Sequence, residues 1–245
     1  MTMRAPYKAV AQFYDELLLD AEYEKYVDFI VDTVKRNAPV FSGADGGCGS
    51  GIVTRALKKA GASVWGFDIS DEMLQKAVER AAAEKINVKF LKQNLLNFKS
   101  FEKLGFLTVI NDGINYIEKS KLASAFKNFN KNLVKNGALV FDISTPYKLK
   151  TVLGNNVYGD DDADLSYIWF NTLNENSVDI EITFFKKQGG VYIRTEETQT
   201  QYVHEVSDVL TALNAAGFTV LSVTGVTGGE LKSDDLRAVF TAIKK

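Results

Sequence analysis

Apolar residues recur along the chain in two periods, and the change from one to the other divides it. Val10, Phe13, Leu17 and Leu18 share one helical face, and Tyr23, Tyr26, Val27, Ile30, Val31 and Val34 share another. A strand around Val40 to Ala44 leads into glycines, then into a helix through Val53, Leu57 and Ala60 that stops at Gly61. SVWGF (63–67), NVKFL (87–91), FLTVI (106–110) and ALVFDI (138–143) are further strands. Ser70 and Asp71 are good caps for a helix through Met73, Leu74, Ala77 and Val78, and a further helix runs from about Lys119 to Leu133. These strands are apolar throughout rather than alternating, which predicts a parallel sheet covered on both faces. Short right-handed crossovers make a doubly wound topology the economical one.

From residue 165 the period becomes two. Val178, Ile180, Ile182 and Phe184 alternate with Asp179, Glu181 and Thr183, as in a half-exposed antiparallel strand. YIWFNTL, SVDIEITFFKK and VYIRTEETQTQYV predict an antiparallel insertion of three or more strands, with DDDAD (160–164) a solvated turn before it. A helix from Val206 to Ala216 and strands at 218–223 and 238–243 complete the sheet. The expected fold is therefore α/β, a doubly wound, Rossmann-like, seven-stranded and mostly parallel sheet with an inserted antiparallel β lid. Residues 1–146 and 206–245 form the core, and 147–205 the insertion.

Composition narrows the function classes. Lys and Arg total 29 against 31 for Asp and Glu, a net charge of -2, so no basic footprint for nucleic acid is present. A single cysteine, Cys48, allows no intramolecular disulfide and suits a reducing compartment. The first residues, MTMRAPYKAVAQFYDELLL, mix acids with apolar residues and do not read as a signal peptide, and no stretch reaches the ~20 apolar residues of a membrane span. A cytoplasmic protein, monomeric or homodimeric, with no membrane partner is the expectation.

The chemistry concentrates in ADGGCGSG (44–51). A glycine-rich turn between the first strand and its helix is where an α/β sheet receives a nucleotide-like ligand. Ile52 stands where the dinucleotide fingerprint GxGxxG needs a third small residue, and no Lys follows as a triphosphate loop requires. Asp45 would repel a phosphate but suits a ligand ammonium group. Asp68, ending the second strand, suits a ribose diol, because a carboxylate can accept from both hydroxyls.

Asp45–Gly51, GFDISDEML (66–74), DGINYI (112–117) and FDISTPYKL (141–149) resemble class I S-adenosylmethionine-dependent methyltransferases, within a small bacterial branch that carries an antiparallel lid. The resemblance spans nearly the whole chain and implies methyl transfer from S-adenosylmethionine to a small-molecule acceptor, with no metal. It places Asp45 near the methionine amine, Gly47 and Gly49 as backbone access, Asp68 on the ribose and Ile69 against adenine. Gly46, Met73 and Leu95 complete the cofactor-binding set. Asn94 stands where the branch usually has an aspartate that accepts from the adenine amine. Asn111 flanks the cofactor through its backbone, and Tyr14 closes over the methionine end. Asp112, Asn115 and Tyr116 face the acceptor, with Asp112 the candidate base and Tyr116 supporting the sulfonium. No Asp/Asn-Pro-Pro-Tyr/Phe follows the fourth strand, which argues against amino groups of DNA bases as acceptors. If the face bearing Glu181, Glu196 and Glu197 lines the cleft, it favours a cationic acceptor; otherwise these acids are a wet sheet face. His204 is expected to be solvated or capping at a helix start, and Cys48 to fill space. A non-catalytic S-adenosyl-ligand binder and a nicotinamide-dependent oxidoreductase stay open as alternatives.

Overall fold

A computed structural model describes residues 21–245. The face formed by Val10, Phe13, Leu17 and Leu18, and Tyr14 with it, lies outside these residues. Helices and strands alternate first: α1 (Ala21–Asn37), β1 (Ser42–Gly46), α2 (Ile52–Lys59), β2 (Ser63–Asp68), α3 (Asp71–Ala83), β3 (Lys89–Lys92), β4 (Leu104–Val109), α4 (Leu122–Asn132) and β5 (Leu133–Ser144). Four strands come next: β6 (Val157–Asp161), β7 (Leu165–Leu173), β8 (Ser177–Gln188) and β9 (Val191–Tyr202). Helix α5 (Val206–Ala215), β10 (Phe218–Thr224) and β11 (Arg237–Lys244) follow.

The larger sheet has seven strands in the order β10-β11-β5-β4-β1-β2-β3. Strands β1 to β5 pair in parallel, while β11 runs antiparallel to both of its neighbours. The chain winds outward from β1 to β3, then restarts at β4 on the other side of β1. That reversal opens a crevice at the carboxyl ends of β1 and β4. One face of the sheet buries Phe67, Phe141 and Phe240, with Phe98, against Phe126 and Phe129 of α4 and Leu213 of α5. The other buries Phe106, Val140 and Val239 against Tyr26, Ile30 and Val34 of α1 and Leu57 of α2. Each fully buried side chain of this size contributes roughly 1.5–3 kcal/mol, so the crevice rests on a rigid base. Among the described residues, no helix is long and apolar enough to cross a membrane.

The smaller sheet, β6-β7-β8-β9, is wholly antiparallel. Val178, Ile180, Ile182 and Phe184 of β8 pack its inner face against Leu149 and Leu153, which lie on a π-helical turn (Lys148–Leu153). Two departures from the sequence reading bear on the sheets. Asp160 and Asp161 are not a turn but the end of β6, paired with Tyr167 and Ser166. An edge strand tolerates such acids because its outer side faces water. Strand β5 starts at Leu133 rather than Ala138, because it pairs with β4 on both sides of a bulge at Asn136, whose φ is +60°.

Candidate functional site

The glycine turn after β1 is held open by backbone geometry and tied down by one acid. Gly47, Gly49 and Gly51 have φ of +64°, +53° and +78°, a left-handed conformation at every second residue that side chains rarely adopt. Across the turn, the Cys48 amide donates to the Phe67 carbonyl at 3.0 Å. The Gly49 amide donates to Asp68 Oδ2 at 2.9 Å, and the Ser70 amide to Asp68 Oδ1 at 2.9 Å. Burial lifts the Asp68 carboxyl above its ordinary range, partly offset by these amides. Ser70 also caps α3 by accepting from the Met73 amide at 3.2 Å, so the end of β2 is fixed on both sides.

Asp45 is 1% exposed. It accepts from Thr54 Oγ1 at 2.6 Å and Thr108 Oγ1 at 2.7 Å, and burial still pushes its carboxyl up to about 6. A pocket opens beside it, walled by Tyr23, Asp45, Gly47, Gly49 and Asn111. Cys48 also lines this pocket, and burial pushes its thiol well up, so it stays neutral. Leu95 packs against the turn: Cβ atoms built on Gly46 and Gly47 would approach its methyl carbons to 2.9 and 3.6 Å. Ile69, just beyond Asp68, is 42% exposed. The Asn94 side-chain oxygen accepts from the Leu96 amide at 2.9 Å. Met73, expected in the cofactor-binding set, does not reach the surface. Helical spacing turns it inward with Ala77 and Ala81, and it is 2% exposed.

The opposite wall follows β4. Asn111 and Asp112 both have φ of +63°, unusual for residues with side chains. Asp142, fully buried on β5, holds this turn by accepting from the Asn111 amide at 3.1 Å and the Asp112 amide at 2.8 Å. It also accepts from Arg237 Nη1 at 2.7 Å and from the Tyr26 hydroxyl. Arg237 reaches Asp112 at 2.7 Å, and Lys148 reaches it at 3.4 Å. Burial works against the Asp112 charge, but the two cations outweigh it and hold the carboxyl down to about 2. Asp112 is therefore a permanent counter-ion, and its environment does not suit the proton acceptor expected of it. Tyr23 accepts from the Asn111 side-chain Nδ2, and burial raises its phenol to about 12.

Asn115 does not face the cleft. It is fully buried, accepts from the Ser144 amide at 2.9 Å and donates to the Tyr202 carbonyl at 3.0 Å, joining β5 to β9. Tyr116 does meet the smaller sheet, donating to Gln199 Oε1 at 2.6 Å. The three glutamates of that sheet separate: Glu181 and Glu196 are exposed, whereas Glu197 is 6% exposed on the inner face. His204 is neither solvated nor a cap. It is buried against the Ile114 carbonyl, and burial lowers its pKa. Trp169 donates to Asn171 and packs beside Tyr158 within the smaller sheet.

Asp142, Arg237, Lys148, Tyr23 and Tyr26 were not anticipated as site residues. The available signal was Asp142, a lone acid inside the apolar run ALVFDI, which needs a partner when buried.

Residues 44–137 match the family model described as a methyltransferase domain. A protein of Geobacillus sp. (strain WCH70) named as a methyltransferase is 31% identical over 247 residues, covering 98% of this chain and 99% of that protein. A Bacillus subtilis (strain 168) protein, likewise named, is 29% identical over 243 residues and 97% of each. The crystal structure of an S-adenosylmethionine-dependent methyltransferase from Clostridium acetobutylicum ATCC 824 matches with a TM-score of 0.88 at 28% identity, over 97% of this chain and 98% of that one.

Proposed function

This chain belongs to the class I S-adenosylmethionine-dependent methyltransferases, and on that premise we propose that it methylates a nitrogen or oxygen of a small-molecule acceptor by in-line displacement. The observation that carries the reading is the alternating left-handed glycine turn, bound through Gly49 to Asp68 at the sheet's switch point.

The residues fit the cofactor. Asp68 Oδ2 takes the Gly49 amide and Oδ1 the Ser70 amide, and a carboxylate's several lone pairs leave room for the ribose hydroxyls. Asp45, pushed toward neutrality by burial, regains its charge beside a ligand ammonium. The turn at Gly46, Gly47 and Gly49 gives backbone access to the methionine portion. Ile69, Asn94 and Leu95 form the adenine side, and Met73 supports them from beneath. Asn111 contributes its backbone and a buried side-chain oxygen that has no partner. When bound, S-adenosylmethionine supplies an electrophilic methyl group on a sulfonium.

The protein's own task is alignment, since reacting atoms must be held about 3–3.5 Å apart and in line. Asp142 and Arg237 fix the turn at Asn111–Asp112, which forms the floor between donor and acceptor. Tyr116 presents its ring and hydroxyl on the acceptor side. Residues 147–205 act as the lid over a core of 1–146 and 206–245. The test is release of S-adenosylhomocysteine from S-adenosylmethionine across a panel of small amines, alcohols and phenols. Acceptor-dependent release supports the proposal; binding of the cofactor without turnover on any acceptor refutes it.

A further inference from the structure

Glycine populates positive and negative φ about equally, so the run Gly47, Gly49, Gly51 does not set its own conformation. Bonds from outside the turn must do so. Asp68 supplies one from the end of β2, through the Gly49 amide. Arg55 of α2 supplies another from behind. It is 8% exposed; its Nη1 donates to the Ser50 carbonyl at 2.7 Å and its Nε to Glu84 Oε1 at 3.0 Å. A buried guanidinium is costly unless its donors are used, and its planar fork lets one side chain reach both acceptors. Glu84, which follows α3, is also met by Lys59 at 2.8 Å. Arg55 lines a separate groove with Asp32, Lys59 and Glu84, not the pocket beside Asp45.

The carbonyl that Arg55 holds belongs to the peptide between Ser50 and Gly51. The N–H of that same peptide donates to the Cys48 carbonyl at 2.8 Å, so the unit is held at both ends. Gly51 is packed from behind, since a Cβ there would come within 2.9 Å of the Phe90 ring. Ser50 also lines the pocket walled by Asp45 and Asn111. Alternating left-handed residues make a concave nest of backbone amides, which suits an anion. A flip of the Ser50–Gly51 peptide would turn a carbonyl oxygen toward that nest, where an anion needs donors.

We infer that Arg55 is a positioning residue for the donor site: by holding the Ser50 carbonyl on the outer side of the turn, it keeps the nest available to the carboxylate of the cofactor's methionine portion. Glu84 sets the direction of the guanidinium. Arg55 touches the turn and not the pocket, so its effect on the cofactor passes through Ser50. The inference rests on the methyltransferase reading and adds to it a residue from outside the pocket.

The test is calorimetry on the full chain with two ligands: S-adenosylhomocysteine, which carries the carboxylate, and methylthioadenosine, which lacks the amino-acid portion. Arg55→Met keeps the stem and removes the donors. It is expected to raise the S-adenosylhomocysteine dissociation constant roughly tenfold, as for loss of a hydrogen bond to a charged group, and to leave that of methylthioadenosine unchanged. Arg55→Lys keeps the charge without the fork and should recover part of the loss. Glu84→Gln frees the guanidinium without removing it, and should raise the first constant about threefold. Lys244→Met is the control for stability alone. Lys244 donates to the Asn130 and Leu133 carbonyls at 2.8 and 2.9 Å at the end of β11, so its loss should lower the melting temperature and leave both constants unaltered. Unchanged S-adenosylhomocysteine affinity in Arg55→Met, or in Glu84→Gln should Arg55→Met not fold, overturns the inference while the donor site stands, as does an equal loss for both ligands. Failure of the wild-type chain to bind S-adenosylhomocysteine overturns the underlying reading and this inference with it.

Discussion

Replacing Asp142 with asparagine changes almost no volume, yet it should strike both the fold and the donor site. Asp142 lies fully buried and accepts from four donors: two backbone amides, the Tyr26 hydroxyl and Arg237. An asparagine must turn its NH2 toward one side of that set. If it replaces Oδ1, the Asp112 amide loses its acceptor; if it replaces Oδ2, the Arg237 contact at 2.7 Å becomes a clash of donors. A buried donor without a partner costs about 1–3 kcal/mol. Breaking a buried ion pair costs about 3–5 kcal/mol. Arg237 keeps Asp112, so the lower end of that range applies and the expected loss is ~3 kcal/mol, a large share of the roughly 5–15 kcal/mol that folds a domain. The loss should appear in urea denaturation followed by circular dichroism, and as a fall in melting temperature on the order of 10 °C. The Asn111–Asp112 turn should loosen too, weakening S-adenosylmethionine. A loss below about 1 kcal/mol would show that Asp142 does not carry the turn.

Asp45 makes cofactor binding depend on pH. Its folded pKa of about 6 lies above an unfolded value of roughly 3.9, so the native state holds the extra proton and its stability falls as pH rises between about 4 and 6. Calorimetry should show S-adenosylmethionine binding weaken as pH drops through 6, an effect absent in Asp45→Asn; equal affinity at pH 5 and 8 would refute it. Asn115→Ala removes the bonds joining Ser144 to Tyr202 and should cost about 2–3 kcal/mol. On the proposed lid role of the smaller sheet, acceptor KM should rise more than the cofactor dissociation constant; an equal rise in both would argue against that role.

Much of this was legible in the chain because the signals were local. The continuous apolar runs, the glycine turn and the Ser70 cap each depend on neighbours a few residues apart, and the structure reproduces them within a few residues. The opposite wall was not local. Asp142 and Arg237 meet through the antiparallel pairing of β5 with β11, and nothing in the period of either strand states which acid faces which arginine. The polar strip of β9 was hidden differently. In TEETQTQY both alternating sets are polar, so only the register against β8 reveals that Glu197, Gln199 and Gln201 point inward. Asp112 shows the limit of reading a role from residue type: its position after β4 was clear, but two cations from distant segments decide its charge.

Titration of S-adenosylmethionine into the wild-type chain and into Asp68→Ala, followed by calorimetry, tests most directly whether the glycine turn and Asp68 form the donor site. Loss of the charge-assisted bonds to the ribose should cost about 1.5–3 kcal/mol, so the variant should bind roughly 10- to 150-fold more weakly than a saturable wild type. Equal affinity in the two proteins would contradict the account.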